Sequence, residues 1–420
     1  MSICRASIHA APECDFESFA IDNKRKRQQE ADDERISVLE RECQRLQRDL
    51  ADAHAKLHRR ESLPAPEAKL DLDNIGFKVR RTHGHCRYTY ANGKWDEGVM
   101  VNEPIIDLHI HSAVLHYGVS LFEGIKAFHM KDGSVRVMND VANVARMARG
   151  ADRLVMPIVP EEIFQSAIDR CICANTAFIP PYGSGGALYI RPLLFASGAI
   201  LGLQTAPEFT FLVTVLPAGN YFGSAGDTGI KAVLVDTFDR AAAKGTGAVK
   251  AGGNYAADLL PLDTAKKNGF TTTLYTDAVQ HKYIEEFSVS NFVGIKAGKF
   301  VTPSSASVLP SITNTMLQQL AKDMGIPVEV RPVDIAELKD FDEVGGCGTA
   351  VVLAWVKSIT FGYDGESLEY PKLNLLAQLK ERLEAIQRGD FADVHNWMRP
   401  VRACKGDMIT QASLQLPLPN

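Results

Sequence analysis

Twelve basic and twelve acidic side chains crowd the first sixty of the 420 residues, and two prolines, Pro64 and Pro66, then close the segment. With two positions in five charged, this stretch has too little apolar material for a core of its own, and a helix is expected to stop at the proline pair. Any globular fold must be built by the residues that follow, where only about one side chain in five is charged. The extension still carries a pattern. Ile36, Cys43, Leu50 and Leu57 recur every seven positions, with Leu39, Leu46 and Ala53 set three positions after the first three, which is the a/d spacing of a coiled coil. A solvated, self-associating helix and a disordered leader both fit it. The run Lys24-Arg25-Lys26-Arg27 is too short for a DNA-contacting basic region, and Glu30, Asp32, Asp33 and Glu34 follow at once.

The rest of the composition removes whole classes of function. Forty-six Lys and Arg against 51 Asp and Glu give a net charge of −5, so no basic field calls for nucleic acid. Eight cysteines in 420 residues are far too few for a disulfide scaffold, and the close pair Cys171/Cys173 lacks metal-ligand spacing, so no metal site is expected. No apolar run is long enough for a membrane span. Glu13, Asp15 and Glu17 against a lone Arg5 speak against a mitochondrial presequence, and a cytoplasmic location is the expectation.

Beyond the linker at 63–69, strands and helices alternate. Asn92-Gly93 signals a hairpin. Helices are expected over 141–154, 160–175, 256–267, 312–324 and 375–388. Strands are expected over 187–194, 209–216, 229–235, 271–275, 288–295, 328–332 and 350–356. A glycine-rich stretch at 217–229 separates two halves of similar size. The expected architecture is α+β: an extension and linker at 1–69, a smaller domain at 70–215 and a larger one at 216–420, with a cleft between the two domains.

Three segments carry candidate chemistry. Lys244-Gly-Thr-Gly-Ala-Val-Lys250-Ala-Gly-Gly-Asn-Tyr255 is dense in glycine but is not a P-loop, since neither Ser nor Thr follows Lys250. It offers an amine and, five residues on, a phenol, in a loop that a planar ligand can approach closely; a turn with a surface lysine reads equally well. Glu285-Glu286 precede an apolar strand, either as a solvated corner or as a buried acid. Leu309-Pro-Ser-Ile312-Thr313-Asn-Thr315 opens a helix with hydroxyls and free N–H groups, a plain cap or a phosphate site. Together the three suit a ligand with a carbonyl, a basic ring nitrogen and a phosphate.

At this point the chain resembles the branched-chain amino acid aminotransferases, pyridoxal-phosphate enzymes of class IV and fold type IV. The resemblance runs from about residue 70 to 405. Its blocks are Leu115-His-Tyr117-Gly-Val-Ser-Leu-Phe122-Glu123-Gly124-Ile-Lys126-Ala-Phe128, Asn143-Val-Ala-Arg146-Met, Tyr189-Ile-Arg191-Pro192, Lys250 to Tyr255, Glu286 to Phe292, Leu309 to Asn314 and Gly348-Thr349-Ala350. The resemblance implies pyridoxal 5'-phosphate held covalently by Lys250, which also moves the Cα proton. Glu286 would face the ring nitrogen and Tyr255 the phenolic oxygen. Arg146, Ile312, Thr313 and Thr349 would hold the phosphate. Tyr117, Phe122, Tyr189, Arg191, Thr349 and Ala350 would form the substrate pocket. Glu285, pointing to the other side of a strand, is expected to be dispensable.

The implied reaction moves the amino group of L-leucine, L-isoleucine or L-valine to 2-oxoglutarate, giving a branched 2-oxo acid and L-glutamate. The partners implied are these amino and oxo acids and further copies of the chain, as a homodimer or larger. The chain departs from the pattern at Ser288-Val-Ser-Asn291, where many members have glycine-containing sequences, and it lacks a C-x-x-C after Ala350, so no thiol switch is expected. D-amino-acid or (R)-amine transamination, an aminodeoxychorismate lyase, and an interaction protein that has lost catalysis are the competing readings.

Overall fold

The computed structural model describes residues 16–61, 65–66, 71, 75–219 and 228–402. Most of the expected linker and the middle of the 217–229 stretch lie outside them. Two compact units result, Met1–Pro64 and Ala65–Asn420. In the first, the described residues form one long helix, α1 (Phe16–Glu61). No helix among the described residues is long and apolar enough to cross a membrane.

The second unit opens with the expected hairpin. β1 (His85–Ala91) and β2 (Lys94–Trp95) are joined by Asn92 and Gly93, both at positive φ (52° and 79°), the two-residue turn whose twist matches the strands. Then follow β3 (Val99–Val101), α2 (Ala113–Tyr117), β4 (Ser120–Phe122), β5 (Ile125–His129), β6 (Val135–Met138), α3 (Asp140–Arg153), α4 (Glu161–Ala174), β7 (Ala187–Ala196) and β8 (Glu208–Ala218). β7 and β8 run antiparallel from Ala187↔Ala218 to Ala196↔Phe209 and form the spine of an antiparallel sheet. α4 covers β1 and β8, with Phe164, Ile168 and Ile172 buried among residues such as Phe211 and Val213.

Pro192 sits in this spine and shapes the site. On the edge away from β8, β7 pairs with β4 through Leu193–Phe195 and with β5 through Leu188–Ile190. Between them Pro192 has no N–H to donate, and only its carbonyl is used, by the N–H of Glu123 at 2.8 Å. The opposing strand therefore breaks at Glu123-Gly124, which frees these two residues for other contacts.

The remaining chain forms β9 (Ile230–Leu234), α5 (Gly252–Ala257), α6 (Leu259–Lys267), β10 (Thr272–Thr276), β11 (Tyr283–Phe287), β12 (Asn291–Lys296), β13 (Lys299–Pro303), α7 (Ile312–Asp323), β14 (Val328–Arg331), β15 (Val333–Asp334), β16 (Glu343–Gly348), β17 (Val352–Phe361), β18 (Ser367–Glu369), α8 (Leu375–Arg388) and β19 (Met398–Pro400). The second sheet has the order β14-β13-β12-β16-β17-β9-β10-β11-β15, and because β11 also pairs with β12, six of its strands close into a ring. Residues such as Leu274, Ile284, Phe292, Val344 and Val356 build one apolar cluster of this sheet, and α7 and α8 pack Leu317, Leu320, Leu379 and Leu383 into another. β19 leaves this region and pairs with β6 at the edge of the first sheet.

The α+β expectation holds; strands such as β5, β6 and β13 lie outside the expected set, β8 runs on to Ala218 in the expected glycine-rich stretch, and three of the expected elements differ locally. The single strand expected at 288–295 is a hairpin: β11 ends at Phe287, whose N–H donates to Ser290 at 2.9 Å, and β12 starts at Asn291. The helix expected at 256–267 breaks at Asp258, a buried carboxylate that accepts from the hydroxyls of Tyr275 and Ser288. The strand expected at 350–356 begins only at Val352, whose φ of 56° ends a turn; β16, ahead of that turn, escapes sequence reading because Gly345, Gly346 and Gly348 weaken its strand signal.

Candidate active site

A cavity of about 500 Å³ lies between the two sheets, and Lys250, Tyr255, Glu286, Arg146, Ile312, Thr349, Ala350, Phe122, Tyr189 and Arg191 all line it. Thr313 is buried and lines a small adjoining cavity together with Ile312 and Thr349. Tyr117 does not line it. It ends α2, is 44% exposed, and donates its hydroxyl to the carbonyl of Leu201.

Lys250 is fixed at both ends. Its carbonyl accepts from Phe122 N–H at 3.1 Å, and its Nζ lies 3.0 Å from the Tyr255 hydroxyl and 4.8 Å from the centre of the Phe122 ring. The preceding loop is clamped by Asn254, whose amide donates to the carbonyls of Thr246 and Val249 at 2.7 and 2.8 Å. Gly247 is required there, since a Cβ would collide with the Ser307 carbonyl. Burial, with Arg146 adding like-charge repulsion, brings the Lys250 ammonium down to about 8 from 10.5. A substantial neutral fraction is therefore present near neutral pH. Burial pushes the Tyr255 hydroxyl the other way, with the Glu286 charge adding to the rise, so it stays a phenol that can donate.

Glu286 is held by three donors: Arg240 Nη2 and Leu309 N–H on Oε1, and Asn291 Nδ2 on Oε2, each at 2.9 Å. Burial raises its carboxyl to about 7, while Arg240 and the Leu309 N–H hold it down. Arg240 is the principal residue that sequence reading missed. It stands in Asp-Arg-Ala with no motif around it, yet it is buried and also reaches the carbonyls of Gly247 and Ser307. Glu285 points away from Glu286, as strand alternation requires, but it is 2% exposed and accepts from the hydroxyls of Ser305 (2.6 Å) and Ser307. It is not a solvated corner, and its structural role was not visible in the sequence.

Arg146 makes a two-pronged pair with Glu123, Nε to Oε1 at 2.8 Å and Nη2 to Oε2 at 2.6 Å, and its Nη1 donates to the Pro310 carbonyl at 2.9 Å. Asn143, one turn earlier on α3, donates to the same Glu123 Oε2 at 2.7 Å. Glu123, wholly buried, thus fastens α3 to the strand break that Pro192 creates. Nearby, α7 begins at Ile312, with Ser311 accepting from Asn314 N–H at 3.2 Å and with Ser311 and Ile312 lining the cavity.

On the opposite wall, Arg191 Nη2 donates to the Tyr189 hydroxyl at 3.1 Å and its guanidinium lies 4.7 Å from the centre of the Phe122 ring. Its Nε is buried and finds no hydrogen-bond partner among the described residues. Gly124 lets the Tyr189 hydroxyl in, because a Cβ there would collide with it. The turn between β16 and β17 supplies Thr349, Ala350 and Val351, and the Ala350 carbonyl accepts from buried Lys126 Nζ at 2.9 Å. Arg146, Arg191, Arg240 and Lys250 against Asp258 and Glu286 line a cationic cavity with aromatic walls. It suits an anionic ligand with a flat, apolar body. The donor set fits pyridoxal phosphate: an amine with lowered pKa, a phenol and a carboxyl near it, and an arginine beside a helix start.

The comparisons agree with this chemistry. Residues 120–359 match the family described as amino-transferase class IV. The branched-chain-amino-acid aminotransferase of Haemophilus influenzae is 41% identical over 341 residues, covering 78% of this chain and 98% of the relative. That of Helicobacter pylori is 40% identical over 331 residues, covering 78% and 97%. Among solved structures, the Escherichia coli branched-chain amino acid aminotransferase superposes with a TM-score of 0.63 at 26% identity, over 75% of this chain and 99% of that one. The cavity thus lies in a chain that belongs to the class IV aminotransferases and, within them, to the branched-chain-amino-acid aminotransferase family.

Proposed function

We propose that this protein transfers the amino group of L-leucine, L-isoleucine or L-valine to 2-oxoglutarate with pyridoxal 5'-phosphate, yielding a branched 2-oxo acid and L-glutamate. The observation that carries the reading is the meeting, in one cavity, of an amine with lowered pKa (Lys250), a buried carboxyl (Glu286), a phenol (Tyr255) and an apolar wall edged by Arg191. Bound pyridoxal phosphate supplies a carbonyl for the substrate amine and a ring that draws off the electrons left when the Cα proton departs. Lys250 holds the cofactor and, in its neutral form, takes and returns that proton. Glu286 and Tyr255 serve the ring nitrogen and the phenolic oxygen. Arg146, the start of α7 at Ile312 and Thr313, and Thr349 serve the phosphate.

Phe122 and Tyr189 offer apolar surface to a leucine-like side chain. Arg191, with one buried N–H unused, serves the second carboxylate of glutamate. The turn at Thr349 and Ala350 serves the α-carboxylate. Tyr117 lies away from the cavity of its own chain, so its part in substrate binding needs a neighbouring subunit, which fits a homodimer or larger assembly. A division of the body into two domains fits the two separate sheets, but β8 runs on to Ala218, so the boundary falls after that residue and not at 215/216, and β19 crosses back to the first sheet. A cytoplasmic location completes the proposal.

The test is a donor panel of L-leucine, L-isoleucine, L-valine, L-phenylalanine and D-alanine with 2-oxoglutarate as acceptor. Fast turnover of the three branched L-amino acids is expected. Preference for D-alanine would transfer the reading to a D-amino-acid transaminase, and a protein that neither binds the cofactor nor turns over any donor would be a non-catalytic member of the fold.

A further inference from the structure

α1 carries an apolar face that lies open. Ile36, Leu39, Leu46, Leu50 and Leu57 are each 51–64% exposed, and Cys43 and Ala53 complete the a/d seam between them. Off the seam, several polar side chains bond within the helix: Arg41 Nε donates to the Ser37 carbonyl, Arg48 Nε to the Gln44 carbonyl, and Arg45 pairs with Glu42. The polar faces are at home in water, whereas the apolar seam is left without a partner.

We infer that this seam packs against the same seam of a second copy of the chain, as a parallel, in-register, two-stranded coiled coil over about residues 35–57. The charges beside the seam select the occupant. In a parallel dimer each g residue faces the e residue five positions on in the other helix. With Ile36 at a, Arg35 faces the partner's Glu40, Glu42 faces the partner's Gln47, and Asp49 faces the partner's His54. All three pairs are complementary in charge or hydrogen bonding, none sets like charge against like, and two-fold symmetry repeats each. A partner of unrelated sequence has no reason to present this order. Cys43, at an a position and exposed in the single chain, is brought against the partner's Cys43 by the parallel register alone; antiparallel helices set a against d and would give it leucine or alanine.

The test uses the full chain. Mild copper-catalysed oxidation, read on a non-reducing gel, should give a covalent dimer that Cys43→Ser abolishes. Leu46→Glu should slow its formation by about tenfold, because a charge enters the seam in both strands. Arg35→Glu should slow it by about fivefold and Arg35→Glu/Glu40→Arg should restore it, a rescue that only facing residues can produce. Transaminase turnover should be unchanged in all of these variants. No Cys43-dependent dimer, a dimer indifferent to Leu46→Glu, or a charge swap that fails to restore formation would each overturn the inference.

Discussion

Lys126 and Ala350 lie 224 positions apart in the chain and are joined by one hydrogen bond of 2.9 Å from the buried Nζ to the carbonyl. The bond ties the strand after the Glu123 break to the turn proposed to receive the substrate's α-carboxylate. Burial brings the ammonium down to about 8, but a neutral amine also donates, so the tie survives on either side of that pH. Lys126→Met should raise KM for leucine and for 2-oxoglutarate by about tenfold, the worth of one such bond, while kcat changes little. Steady-state kinetics with both substrates measures the split.

Lys250→Ala should lose the bound cofactor's visible absorbance and nearly all turnover, whereas Lys244→Ala, on an exposed side chain, should keep both. The depressed pKa also sets a pH profile. With a pKa of about 8, about 10% of the amine is neutral at pH 7, against about 0.03% at the ordinary value of 10.5. Cofactor uptake by the stripped protein should therefore quicken about tenfold per pH unit up to about pH 8 and then level off. Linkage gives the sign for stability: between about 8 and 10.5 the unfolded chain binds more protons, so the stripped protein gains stability as pH rises through that window. Lys126 contributes with the same sign, so Lys250→Met should remove only part of the gain. Denaturant unfolding across that range reads it.

Glutamine at the two neighbouring glutamates should separate two roles. Glu286→Gln should retain the fold and depress turnover by about a hundredfold or more, through loss of the charged partner for the ring. Its raised carboxyl means that the folded protein binds the extra proton between about 4.5 and 7, so stability falls as pH rises through that span, and the variant should lack the slope. Glu285→Gln should cost about 1–2 kcal/mol of stability, because the Ser305 and Ser307 hydroxyls lose their charged acceptor, with kcat nearly intact. A collapse of kcat at Glu285 alone would contradict the strand register.

Arg146→Met leaves the wholly buried Glu123 without its cation, at a cost of about 3–5 kcal/mol. Adding Glu123→Gln should recover much of that loss, since the uncompensated charge is gone. Cofactor affinity should stay low in both variants, because neither restores a cation beside α7. Thermal melts with cofactor titrations separate the scaffold role of this arginine from its ligand role.

Much of this was legible in the sequence where local signals were strong. The Asn92-Gly93 turn, the helix at 375–388 and the spacing of Tyr189 and Arg191 on one strand face all follow from backbone geometry that a few residues dictate. The site was legible through its lysine loop and helix start. Three features were not. The hairpin at Ser288–Ser290 has no glycine, proline or turn-forming Asn-Gly to announce it, and its closure is set by pairing of Glu286 with Asn291 across the two strands. Arg240 and Glu123 are buried ions whose meaning lies wholly in partners distant in sequence. Tyr117 belongs to a motif block yet stands outside the cavity of its own chain, because a motif does not say which subunit's pocket a side chain at the end of a short helix serves.

β19 closes the edge of the first sheet, and Arg399 on it reaches the buried carboxylates of Asp140 (2.7 Å) and Asp169 (2.9 Å). On the ribosome those two acids are made more than 200 residues before their cation. A nascent first sheet must wait with an open edge and two unneutralised charges until the second sheet has left the exit tunnel. Translation order therefore couples the two halves: the first cannot close its edge before the second has been made, and a chain cut short of Met398 lacks the strand that closes it.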